Sequence, residues 1–120
     1  MAGSGVVISS AQGVTVAELR AGALVDGPQI EQVGKELLAL VDEQAVRKLI
    51  VDFRHVGFLS STMIGALLQL HKHAAEIKGQ VFLVGVSPKL MEVFKITRLH
   101  KVLHFAKDQN EAIRKMGVIG

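Results

Sequence analysis

Residues 47–77 read RKLIVDFRHVGFLSSTMIGALLQLHKHAAEI. The first seven, RKLIVDF, are the short apolar run of a buried-type strand. A turn through His55 and Gly57 follows. Beyond it, apolar residues recur at three- and four-residue steps: Ile64, Leu67, Leu68 and Ala75 lie on one side of a helix, and Met63, Leu70, Ala74 and Ile77 widen that face. Gly79 marks its end. A strand that hands over to an amphipathic helix is half of a β-α-β unit. At the handover stand three adjacent hydroxyls, Ser60, Ser61 and Thr62. Ser and Thr cap helices, and one cap is worth about 1 kcal/mol. One residue suffices for that, so the residues alone leave two readings open: a cap only, or a cap beside a modification or contact site.

The same alternation runs outward in both directions. GVVIS (5–9) and VTVAEL (14–19) read as two short strands around a turn at Ala11-Gln12-Gly13, a hairpin and hence antiparallel. DGPQIEQVGKELLALVDE (26–43) reads as a helix through Ile30, Val33, Leu37, Leu40 and Val41, with Pro28 near its first turn. VFLVGV (81–86) is a strand covered on both faces. SPKLMEVFKI (87–96) opens a helix with Ser87 as cap and Pro88 first inside. KVLHFA (101–106) reads as a last short strand. DQNEAIRKM (108–116) is a helix whose Asp108 and Glu111 have capping-box spacing. The pattern predicts one α/β domain over residues 1–120, with a mixed central sheet of about five strands and about four α-helices.

The chain has 120 residues, 49% of them hydrophobic, a formal net charge of +3 and no Cys. That length suits one domain with a real core. Disulfides, thiolate chemistry and Cys-based zinc sites are excluded. No apolar run approaches the roughly 20 residues that span a bilayer. MAGSGVVISSAQG has neither the basic start nor the apolar stretch of a signal peptide, so a cytoplasmic location and no membrane association are expected. Aromatic residues are five Phe without Trp or Tyr, and the Lys and Arg are scattered. A nucleic-acid partner is therefore not expected.

No phosphate loop GxxxxGK[ST] is present, no GxGxxG follows a strand, and no Gly-x-Ser-x-Gly elbow occurs. His71 and His73 stand two apart on a helix and face different sides. His100 and His104, set around a strand, would be about 13 Å apart at the usual strand rise. No catalytic set, metal site or cofactor is expected.

The segment LIVDFRHVGFLSSTMIGALLQL (49–70) resembles the signature of the STAS domain family, the bacterial anti-sigma factor antagonists with relatives in sulfate transporters. Asp52, Phe58, Leu59, Ser61, Thr62, Ile64 and Gly65 match its pattern, and GQVFLVGVSPKLMEVFKITRLHKVLHF (79–105) is similar to its downstream part. The resemblance covers nearly the whole chain. It implies a non-enzymatic switch protein. In the family, the unphosphorylated antagonist binds an anti-sigma factor that is also a serine kinase, freeing a sigma factor. Phosphorylation of a Ser at the start of the signature helix releases the antagonist, and a serine phosphatase resets it. Ser61 matches that Ser, with Ser60 and Thr62 as neighbouring candidates. Asp26, in LVDGP, resembles an acidic position near the site, and the resemblance implies partner contact through Asp26, Phe58, Leu59, Ser60, Thr62 and Met63.

Two positions depart from the family pattern. Ser60 stands where an Asp is usual, which removes an acid a kinase reads and adds a rival hydroxyl. Met63 stands where a Gly is usual. Met adapts well to binding surfaces, and the surface reading of Met63 is preferred here to the core one. The alternatives to the phosphorylation-switched antagonist are a non-switched STAS subunit of a transport or stress-sensing assembly, and an uncharacterised enzyme.

Overall fold

The computed structural model describes residues 5–20, 22–24 and 27–117. A hairpin opens the chain. Strands β1 (Val6–Ala11) and β2 (Val14–Leu19) pair antiparallel, and the two residues between them, Gln12 and Gly13, both have positive φ, 54° and 79°. A two-residue turn with that handedness matches the twist of the flanking strands. Strand β2 then pairs in parallel with β4 (Lys48–Asp52), β4 with β6 (Gln80–Val84) and β6 with β7 (His104–Ala106). The sheet order is β1-β2-β4-β6-β7. This is the expected mixed five-stranded sheet, antiparallel only at the hairpin.

Helices α1 (Gly27–Asp42), α2 (Ser61–Glu76) and α3 (Pro88–Ile96) cover one face, and α4 (Gln109–Lys115) covers the other. Each central strand therefore buries both faces. Leu49 and Val51 of β4, with Val81 and Leu83 of β6, pack against the three helices, while Ile50, Phe82 and Val84 pack with Ala112, Ile113 and Met116 on the side of α4. Two-sided burial is why these strands read as continuous apolar runs rather than alternating ones. The expected caps are in place. Ser87 accepts from the Leu90 N–H at 3.2 Å, and Asp108 accepts from the Glu111 N–H at 2.9 Å, while the Glu111 carboxylate accepts from the Lys107 N–H.

Three local readings are corrected. A two-residue parallel pair, β3 (Ala23–Leu24) with β5 (Phe58–Leu59), lies outside the main sheet and had no counterpart in the sequence reading. The last strand starts at His104 rather than Lys101, because Leu99–Lys101 form a 3-10 turn entered through Arg98 at φ 65°. Helix α2 does not turn on Gly79: Lys78 takes the left-handed conformation at φ 59°. The Lys78 N–H donates to Ala75 O at 3.0 Å and the Gly79 N–H to Ala74 O at 2.7 Å, a Schellman closure. Gly79 is small for another reason, since a Cβ there would stand 2.9 Å from the backbone of Arg47.

Among the described residues no helix is long and apolar enough to cross a membrane, and no three His, Asp or Glu side chains are grouped to hold a metal ion. His71 packs edge-on against His104, with ring centroids 5.6 Å apart, and His104 stacks on Phe82 at 5.2 Å. Burial, and then the neighbouring His104, hold the His71 imidazole below its ordinary pKa. His73 Nδ1 lies 3.0 Å from the Asp42 carboxylate.

Candidate functional site

The start of α2 is fixed from both sides. Behind it, β4 ends at Asp52 and the chain buries Phe53 and Val56, leaving Arg54 and His55 exposed between them. The Gly57 N–H then donates to Gly22 O at 2.7 Å, and β5 zips onto β3 with Phe58 opposite Ala23 and Leu59 opposite Leu24. That pairing sets the alternation: Leu59 points inward at 6% exposure and Phe58 outward at 52%. Ser60 comes next, with extended backbone, and it is the N-cap. Its Oγ accepts from the Met63 N–H at 3.3 Å. Ser61 and Thr62 open the helix, exposed, with no side-chain hydrogen bond to any described residue.

The three hydroxyls thus divide the work. Ser60 is spent on the helix terminus, whereas Ser61 and Thr62 face solvent. The first turn of α2 carries no acidic side chain, so no charge on the helix's own first turn offsets its free N–H groups and positive dipole end. Beside Thr62 runs an open groove of about 580 Å3 between α1 and α2, lined by Ile30, Glu31, Lys35, Thr62, Gly65 and Ala66. Within the groove Gly34 faces Ala66, and a Cβ on Gly34 would meet the Ala66 methyl at 3.7 Å, an ordinary van der Waals contact. Removing the cap with Ser60→Ala should cost about 1 kcal/mol, with Ser61 still exposed, as measured by chemical denaturation.

The sequence-derived residues separate accordingly. Phe58, Ser61 and Thr62 share the exposed surface, with Ser60 half-buried at its edge. Asp26 lies outside the described residues. Met63 is corrected from surface to core, and Leu59, expected as a partner contact, is buried too: Met63 is 0% exposed and packs in the cluster between the sheet and the three helices, as does Leu59. The signal for Met63 was present, because Met63, Leu67, Leu70 and Ala74 form one buried stripe at helical spacing.

Asp52 has a structural part that its place in the signature did not disclose. It is 4% exposed, and it is the one buried charged residue among those described. Its Oδ1 accepts from the Arg54 N–H at 2.8 Å and its Oδ2 from Gln109 Nε2 at 2.9 Å, joining the end of β4 to α4. Gly85, at φ 67°, leaves room for it, since a Cβ there would lie 2.9 Å from Asp52 Oδ1. Nearby, Arg54, Arg20 and His55 converge on Glu18, and the Arg54 guanidinium chiefly holds the Glu18 carboxyl below its ordinary pKa. This polar cluster anchors the loop that leads to Phe58.

Comparison with known proteins gives a consistent picture. The family model described as STAS domain matches residues 7–112. The protein BtrV of Bordetella bronchiseptica, named as a candidate anti-sigma factor antagonist, is 26% identical over 90% of this chain and 84% of its own. The structure of an anti-sigma-factor antagonist (STAS) domain protein from Planctomyces limnophilus superposes with a TM-score of 0.80 at 26% identity, covering 92% of this chain and 96% of the other. The phosphorylated form of the Bacillus cell fate determinant SpoIIAA gives a TM-score of 0.69 at 23% identity, over 92% of this chain and 97% of that one.

Proposed function

This chain belongs to the STAS domain family, and from that premise we propose that it is an anti-sigma factor antagonist switched by phosphorylation at Ser61. One observation carries the choice of residue: Ser60 Oγ is occupied as the N-cap, which leaves Ser61 exposed at the first position of α2, beside exposed Phe58 and Thr62. The unmodified surface docks an anti-sigma factor through Phe58, Ser61, Thr62 and the adjoining α1–α2 groove. That partner is a serine kinase and brings its own ATP. The γ-phosphoryl group passes to Ser61 Oγ, ADP leaves and the hydroxyl proton goes to solvent or to a base of the kinase. A serine phosphatase would reverse the step by hydrolysis.

The domain tolerates the product. The phosphate would sit at a helix N-terminus, where free N–H groups and the dipole favour an anion. The solved phosphorylated form of SpoIIAA, a likeness of fold alone, supports the view that a domain of this shape accepts such a group. The partner does not tolerate it, because it meets a new charge of about −1.5 to −2 at a packed contact. The protein's own part is binding rather than catalysis.

Incubation with the cognate kinase and ATP, followed by peptide mapping, tests the assignment. Phosphate should be found on Ser61. Phosphate found mainly on Ser60 or Thr62 would mean that the wrong hydroxyl was assigned. A second reading, a STAS subunit that binds without a Ser switch, is favoured by Ser60 at the N-cap of α2, where the family places an Asp before the acceptor. It requires that an active cognate kinase leave the mass of the chain unchanged.

A further inference from the structure

The long outer edge of the sheet is unguarded. Strand β1, VVISSA, lies at the end of the order β1-β2-β4-β6-β7, and among the described residues it pairs with β2 alone. Edge strands in soluble proteins are blunted by charges, prolines, bulges or shortness. The opposite edge, β7, is three residues long. Strand β1 has six residues, no charge and no proline, and Val7 and Ile8 are 47% and 44% exposed.

The hydrogen-bond parity of the hairpin shows what this edge offers. Arg20 N–H donates to Gly5 O at 2.6 Å, so the pair 5–20 is a hydrogen-bonded pair. In the same register Val7 faces Glu18, Ser9 faces Val16 and Ala11 faces Val14. The N–H and C=O groups of Val7, Ser9 and Ala11 are therefore turned toward β2, and those of Val6, Ile8 and Ser10 are turned outward.

We propose that β1 pairs antiparallel with β1 of a second copy of this chain, with Ile8 opposite Ile8 on the two-fold axis, joining two five-stranded sheets into one. This is strand addition with the chain itself as the added strand. Val6 then meets Ser10 of the other copy in each direction, so every outward backbone group along the strand finds a partner. A residue on or near the axis of an isologous contact faces its own counterpart, so a charge there would repel itself. The neutral sequence of β1 meets that condition, which pairing with a second copy imposes at the axis and pairing with a foreign strand does not. Ile8 shares a face with Val6, which packs on the helix-covered core, and across the axis the two Ile8 side chains extend that apolar surface. Helix α2 packs over β6, away from β1, so each Ser61 stays exposed in the pair.

Sedimentation equilibrium of the full chain over a concentration series tests this. The wild-type chain should self-associate to a dimer. Ile8→Pro removes an outward N–H without touching the β1–β2 ladder, and Ile8→Lys places two ammonium groups together on the axis. Each should raise the dimer Kd by about tenfold or more, equivalent to about 1.4 kcal/mol. Should the Pro variant fail to fold, the Lys variant decides alone, with circular dichroism reporting its fold. A wild-type chain that stays monomeric throughout overturns the proposal, and so does a dimer equally tight with Lys at position 8.

Discussion

Ser61→Asp should fold as the wild type does and bind the anti-sigma factor about 100-fold more weakly or worse. The two halves of that result have separate causes. Ser61 is the first residue of α2, exposed, and its hydroxyl holds no described partner. A carboxylate there meets the positive end of the helix dipole, a favourable term of about 0.3–1 kcal/mol. Stability should therefore shift by less than about 1 kcal/mol. In the proposed complex the same carboxylate would be enclosed by a surface that fits a neutral hydroxyl beside Phe58. An unpaired buried charge costs about 3–5 kcal/mol, which corresponds to two or more powers of ten in Kd. Ser61→Ala should bind as wild type and refuse phosphate. Calorimetric titration of the three proteins with the partner, alongside thermal melts, measures both halves. An Asp variant that binds within about threefold of wild type, a difference under about 1 kcal/mol, removes Ser61 from the switch.

Met63→Ala should show the opposite pattern, with a large loss of stability and little loss of affinity. The side chain is 0% exposed within the cluster that joins the sheet to the three helices. Truncating a buried Met to Ala typically costs about 2–5 kcal/mol, the transfer term plus the cavity left behind. For a domain of this size that lowers Tm by about 10 °C. Urea denaturation gives the free energy. Affinity for the partner, measured well below the melting range, should stay within about threefold, since no described contact surface includes Met63. A variant of unchanged stability with weakened binding would return Met63 to the surface. The stability loss also bears on the departure from the family pattern: with Met in place of Gly, this chain fills space at the top of α2 that a Gly would leave to other side chains.

The sequence by itself determined the order of the main elements, the two-sided burial of the central strands and the chemistry available at the head of α2. These are local properties. Apolar spacing at two or at three to four residues, a Ser or Asp just before a helix, and a turn at Ala11-Gln12-Gly13 each act within a few residues of themselves. What lay beyond reach depends on segments that meet only after folding. The pair β3–β5 joins residues 23–24 to residues 58–59, and two residues are too few to show a period. Yet that pair decides that Phe58 points out and Leu59 in, and it sets where α2 begins. The start of the helix in turn makes Ser60 the cap and leaves Ser61 free, a division that three adjacent hydroxyls could not announce. Gly79 looked like a helix stop, but Lys78 takes the left-handed turn and Gly79 makes room for Arg47, more than thirty residues earlier in the chain. Met63 could belong to either face until α1 and the sheet closed over it, because the width of a buried stripe is set by how many neighbours pack on the helix and not by the helix's own period.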